Sequence, residues 1–182
     1  MRKVVLYHLQ SLDGVGEEPG DWMSDGTPQL FENLGAVIAT QDDVLLGRGT
    51  YDYWVGYWPT SDLEPFASFI NETTKHVFSS SAPPEEWANS TFVEGSAAEY
   101  VAELKQGQGG DIGIHGSIQL SRDLLRSDLI DELRLVVAPS LAHKGRKIFD
   151  GSDERGLHRL ELLDTSRTDA GSLLLWYRFA SA

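Results

Sequence analysis

Val44-Leu45-Leu46-Gly47-Arg48-Gly49-Thr50-Tyr51 decides how this chain is read. Three consecutive apolar residues predict a strand buried on both faces, the pattern of a central strand in a parallel sheet. Gly47 then predicts a sharp turn, and Thr50, Tyr51, Trp54 and Val55 continue at helical spacing until Pro59. Two further stretches repeat this order. His76-Val77-Phe78 runs into Ser79-Ser80-Ser81, and Ile112 and Ile114 lead to His115-Gly116-Ser117, after which Leu120, Leu124 and Leu125 mark a helix. In open α/β sheets ligands collect outside the carboxyl ends of strands, and helix N-termini there attract phosphate. Three such endings point to a phosphate-rich ligand rather than a lone anion.

The rest of the chain fits the same alternation. Lys3 to Leu9 reads as a strand, and Gln10 to Asp25 as a loop carrying Pro19 and Trp22, long enough to serve as a lid or binding loop. Thr27 is a candidate N-cap with Pro28 at the first helical position, and Leu30, Phe31, Leu34, Val37 and Ile38 give the helix its apolar side. Asp42-Asp43 is expected to close that segment. Leu63 to Asn71 and Ala97 to Lys105 read as helices, Thr91 to Val93 and Leu133 to Val137 as strands, and Ser140 to Ser152 as a loop. Leu160 to Leu163 and Ser172 to Phe179 form a hairpin through Asp169-Ala170-Gly171. The expected class is α/β: one domain over residues 1–182, with a mostly parallel mixed sheet and a C-terminal antiparallel hairpin.

Composition narrows the function. The chain has 182 residues, 41% hydrophobic and 24% charged, which is ordinary globular composition. A net charge of -13 opposes binding to nucleic acid or anionic lipid. No apolar run approaches the roughly 20 residues of a membrane span, and Val4-Val5-Leu6-Tyr7 is too short for a signal-peptide core. The absence of cysteine excludes disulfides and thiolate metal sites and fits a cytoplasmic protein. The five histidines show no metal-ligand spacing, and no metal is expected. Walker A, Gly-x-Ser-x-Gly and early GxGxxG motifs are missing, so kinase, hydrolase and ordinary Rossmann readings lose ground.

Each turn offers candidate side chains. Gly47 and Gly49 let backbone N–H groups approach a phosphate, Arg48 can grip it with two bonds, and Thr50 can donate to it or cap the helix. Ser79 and Ser80 could meet a second phosphate. Gly116, Ser117 and Ile118 open a helix whose dipole favours negative charge. His115 either points into the site or packs as a strand-end core residue. Asp13 and Gly14 stand at the exit of the first strand, with Trp22 in the loop beyond. Lys144, Arg146 and Lys147 form a basic loop, either functional or simply solvated.

Together these segments resemble the dihydrofolate reductase-like superfamily. They are most similar to the reductase domain that acts on a ribosylaminopyrimidine in riboflavin biosynthesis, and to its stand-alone bacterial relatives. Ser11-Leu12-Asp13-Gly14, Leu46 to Tyr51, Lys75 to Ser80, His115 to Leu120, Leu129 to Pro139 and Lys144 to Phe149 match the family's motifs in order. The resemblance implies a three-layer sandwich with helices on both faces of the sheet, and NADPH as cofactor. By position, Gly47, Arg48, Gly49 and Thr50 would hold its phosphates. Ser79 and Ser80 would lie near the 2′-phosphate, and His115, Gly116, Ser117 and Ile118 at the pyrophosphate. A small heteroaromatic or pterin-like substrate would lie near Ser11, Gly14 and Trp22. Asp13 would orient the substrate or relay a proton, with Glu32 as the second candidate catalytic carboxylate. His115 departs from the family pattern, which has glycine there. The resemblance also allows a homodimer. A non-catalytic nucleotide-binding module and a folate-type reductase are the alternatives.

Overall fold

The computed structural model describes residues 1–150 and 157–180. Its strands are β1 (Val4–Ser11), β2 (Gln41–Gly47), β3 (Thr74–Phe78), β4 (Ser90–Val93), β5 (Asp111–His115), β6 (Glu132–Ala138), β7 (Leu160–Arg167) and β8 (Leu173–Phe179). They form one 8-stranded sheet in the order β4-β3-β2-β5-β1-β6-β8-β7. All neighbours from β4 to β6 pair in parallel, whereas β8 runs antiparallel to both β6 and β7. The α-helices among the described residues are α1 (Pro28–Ile38), α2 (Arg48–Trp54), α3 (Phe66–Glu72), α4 (Ala97–Leu104) and α5 (Ile118–Arg126).

Side chains alternate across the sheet and build a core on each face. Val4 and Leu6 of β1, Leu45 of β2 and Ile112 and Ile114 of β5 pack with Val101 of α4 and Leu120 and Leu124 of α5. On the other face Val5 and Tyr7 pack with Leu30 and Val37 of α1. There too, Val44 and Leu46 pack with Tyr51 of α2 and Phe66 and Ile70 of α3. The central strands are apolar runs because both of their faces are covered. β7 is an outer strand with most of its residues exposed, and its ladder shifts register between Leu162 and Asp164.

The α/β class, the mostly parallel sheet and the terminal hairpin are as the sequence led us to expect. One assignment is corrected. Asp42 and Asp43 do not close α1; they lie in β2, which begins at Gln41. Tertiary partners hold them there. The buried Arg2 guanidinium pairs with both carboxylates, and Asp43 also meets His76 Nε2 at 2.7 Å. α3 starts later than Leu63, with Pro65 at its N-cap, because the residue preceding proline is driven away from helical geometry. β1 runs on to Ser11 because β6 pairs with it as far as Ser11↔Ala138.

Connectivity fixes where a ligand can lie. The helices that follow β1 and β2 cover one face, and α5, which follows β5, covers the other. β5 sits between β2 and β1, so a crevice opens on either side of its carboxyl end. Ile114, fully buried on β5, is the keystone of that arrangement. Ile114→Ala should cost about 3 kcal/mol in urea unfolding, through lost burial and the cavity left behind. Leu162→Ala on the exposed outer strand should cost less than about 1 kcal/mol. Equal effects of the two would contradict this placement of the core.

Candidate active site

The turns after β2 and β5 are joined directly. The Gly47 N–H donates to Ser117 Oγ at 2.9 Å, and that hydroxyl donates to Thr50 Oγ1 at 2.9 Å. Ser117 reaches this position through two successive left-handed residues, Gly116 (φ 67) and Ser117 itself (φ 52). Left-handed geometry at a residue with a Cβ costs about 1–2 kcal/mol, which the two hydroxyl bonds offset. Neither α2 nor α5 has a side-chain cap at its N-terminus, so their leading N–H groups remain available donors. At Gly49, in the first turn of α2, a side chain would meet nothing within 4 Å. An anion can therefore approach that backbone.

Arg48 ties in the third turn. Its Nη1 donates to Ser79 Oγ (3.2 Å), Ser81 O (3.0 Å) and Ser81 Oγ (3.2 Å), and its Nε contacts both carboxylate oxygens of Asp52 at 2.7 and 2.8 Å. Ser80 stands exposed between the two serines that make contact. The candidates Gly47, Arg48, Gly49, Thr50, Ser79, Ser80, Gly116, Ser117 and Ile118 thus share one edge of the sheet. Ser81, the last of the serine run, and Asp52, which the sequence did not single out, contact Arg48 beside them. The i,i+4 spacing of Arg48 and Asp52 was the readable signal for the latter.

Of the two readings of His115, the structure takes the core one, and the expectation that its side chain meets the cofactor is corrected. Its imidazole is 4% exposed, meets Gln41 Oε1 at 2.8 Å, and packs among the rings of Tyr7, Phe66 and Phe69. Burial drives its pKa down to about 3, so the ring is neutral. The alternation of β5 sends Gly113 and His115 to the same face. A side chain at Gly113 would overlap Gln41 Oε1 at 2.1 Å, so the bare glycine is what lets Gln41 reach His115. The ring is core, and only the His115 backbone stands at the strand end.

At the exit of β1 the candidate polar groups are already engaged. Ser11 is fully buried; its hydroxyl donates to Asp13 Oδ1 at 2.6 Å and accepts from the Val15 N–H at 3.0 Å. The Asp13 carboxylate also accepts from the Ala142 and His143 N–H groups at 3.0 and 2.9 Å. These bonds, led by that from Ser11, hold its pKa at about 2. Asp13 is therefore an ionised acceptor with both oxygens occupied. It fastens the loop after β1 to the loop after β6.

Other bonds reinforce the same seam. Lys147 Nζ donates to the Asp13 carbonyl at 2.6 Å, Val15 bridges Lys147, and Arg146 Nε meets Glu17 at 2.6 Å. Gly145 (φ 123) fits only without a side chain, because a Cβ there would stand 2.5 Å from Val15 Cγ1. Gly14 (φ 87) makes the turn after Asp13. Trp22 is half-buried and donates through Nε1 to the Glu17 carbonyl at 2.8 Å. A groove of about 590 Å³ lies between the two loops, lined by Glu17, Asp21, Trp22, Leu141 and Lys144 among others. Glu32 is exposed on α1 and bonds to none of the strand-end residues. Among the described residues no group of three or more potential ligands could hold a metal, and no helix is long and apolar enough to cross a membrane.

Comparison with known proteins identifies the family and agrees with the fold. The RibD C-terminal domain matches residues 2–174. An uncharacterised Bacillus subtilis protein, YwjB, is 32% identical over 151 residues, covering 81% of this chain and 83% of its own. A putative riboflavin biosynthesis protein from Shewanella sp. PV-4 superposes with a TM-score of 0.79 at 18% identity, covering 98% of this chain and 99% of its own. Dihydrofolate reductase from Enterococcus faecalis, in complex with NADP(H), superposes with a TM-score of 0.66 at 16% identity, covering 98% and 97%. The fold is dihydrofolate reductase-like.

The seam between the loops yields a test. Asp13→Ala should speed hydrogen exchange at the Ala142 and His143 amides by about tenfold or more, and leave the Leu45 amide unchanged. In the unaltered chain the folded-state pKa of Asp13 lies below its unfolded value. The seam should therefore be intact above about pH 4 and loosen as pH falls through about 2. Unchanged exchange at both amides would contradict the assignment.

Proposed function

The chain belongs to the RibD C-terminal domain family, and from that premise we propose that it is an NADPH-dependent reductase. Its acceptor is a small heteroaromatic, ribosylaminopyrimidine- or pterin-like, bound near the exit of β1. One observation carries the reading: polar turns far apart in sequence meet at one edge, through Gly47 N–Ser117 Oγ–Thr50 Oγ1 and through Arg48 to Ser79. The residues present suit a phosphate-rich dinucleotide. The backbone is open at Gly49, two helix starts are uncapped, and a guanidinium lies beside serine hydroxyls. From β3 to β1 there are three strand spacings, roughly 14 Å of cradle.

When bound, a reduced nicotinamide supplies the hydride; the protein supplies position and electrostatics. The N–H groups opening α2 and α5 hold phosphate oxygens, and Thr50 and Ser117 fix the distance between those two helix starts. Arg48, Ser79 and Ser80 face the adenosine side. Trp54, whose ring lies 3.6 Å from where a Gly116 side chain would begin, walls the crevice beside β5. Ser11 and Asp13 hold the two loops that enclose the acceptor, and Gly14 and Trp22 border it. Asp13, ionised and with both oxygens already accepting bonds, orients these loops rather than donating a proton.

Titration of tryptophan fluorescence tests the reading. NADPH should bind more tightly than NADH, and equal affinities would contradict the assignment. Arg48→Ala should weaken NADPH by roughly tenfold or more, the scale of a lost charge-assisted bond, and weaken NADH by less than about threefold. Binding without oxidation of NADPH by any aminopyrimidine or pterin acceptor would leave the chain a binding module.

A further inference from the structure

Arg48 is the only cation bonded to the strand-end serines among the described residues, and its charge is shared before any ligand arrives. Asp52, one turn further along α2, places both carboxylate oxygens on Nε at 2.7 and 2.8 Å. Nη1 faces Ser79 Oγ, Ser81 O and Ser81 Oγ. Nη2 bonds to no described residue and is the nitrogen left for a ligand oxygen. The pair is partly open to solvent, with 30% of the Arg48 side chain and 43% of the Asp52 side chain exposed.

We propose that Asp52 sets how strongly this chain discriminates a 2′-phosphorylated nucleotide from its unphosphorylated counterpart, by fixing the Arg48 fork while cancelling part of its charge. The inference rests on the reading that Arg48 faces the adenosine-side phosphate. Two effects oppose each other. Held on Nε by Asp52 and on Nη1 by the serines, the planar guanidinium is oriented, with Nη2 left for a phosphate oxygen. The carboxylate beside it also repels an incoming dianion, on a chain that already carries a net charge of -13. A nucleotide with a plain 2′-hydroxyl gains from neither the fork nor its charge. Asp52 is thus a positioning residue that keeps the geometry and limits the phosphate's contribution to affinity.

The two effects separate by substitution. Asp52→Asn keeps an oxygen for Nε and removes the charge. It should tighten NADPH and 2′,5′-ADP by roughly three- to tenfold at low salt, with NADH and 5′-AMP within about twofold of the unaltered chain. The gain should largely vanish at about 0.5 M salt, where exposed charges are screened. Asp52→Ala removes both hold and charge, and should gain less than Asp52→Asn. An NADPH-to-NADH affinity ratio that stays within about twofold in Asp52→Asn, or equal shifts for all four nucleotides, would overturn the inference while leaving the cofactor reading intact. If the unaltered chain binds none of the four, the cofactor reading itself falls and this inference with it.

Discussion

The Ser117 hydroxyl is the joint on which the proposed site depends. It accepts from the backbone at the end of β2 and donates to the first turn of α2, although Ser117 lies 70 residues from Gly47. The bond can form only because β5 lies next to β2 while its helix leaves on the opposite face. Two helix starts then face a common crevice instead of pointing apart. The left-handed backbone at Gly116 and Ser117 is the local strain that such a turn demands. The parallel pairing Leu45↔Ile114 and the buried core beneath it hold that strain in place.

Charge is distributed with similar economy. The basic loop that stands out in so acidic a sequence is largely occupied by the protein itself. Arg146 pairs with Glu17, and Lys147 holds the Asp13 carbonyl. These contacts, with the Asp13 carboxylate, close the seam between the loops after β1 and β6 and shape the groove beside Trp22. Arg48 is left at the other end of the edge, shared between Asp52 and the serines. Cation and groove lie at opposite ends of the cradle, which suits an elongated, phosphate-bearing cofactor lying between them.

Much of this was legible in the chain. Val44-Leu45-Leu46 and Ile112 to Ile114 declare buried parallel strands because their pattern lacks alternation, and the glycines and serines after them mark the edge where a ligand sits. Long-range satisfaction of polar groups was not legible. Asp42-Asp43 reads locally as a helix stop and becomes strand because Arg2 and His76 reach it from elsewhere. His115 reads equally as a site residue or a packed strand-end residue, and only the long-range partner Gln41, crossing the bare Gly113, decides for the core. Asp13 reads as a group that orients substrate or relays a proton, but its oxygens accept from N–H groups roughly 130 residues away in the sequence, in the loop after β6. In each case a tertiary partner decided what local sequence could not.

The most direct measurement is an amide NMR titration of the unaltered chain with NADPH. The Gly49, Ser79, Ser117 and Ile118 amides should shift together along one saturation curve, while the Leu162 amide on the outer strand stays still. Shifts confined to one of the turns after β2, β3 and β5, or saturating at different concentrations for each, would show that they do not form a single nucleotide site.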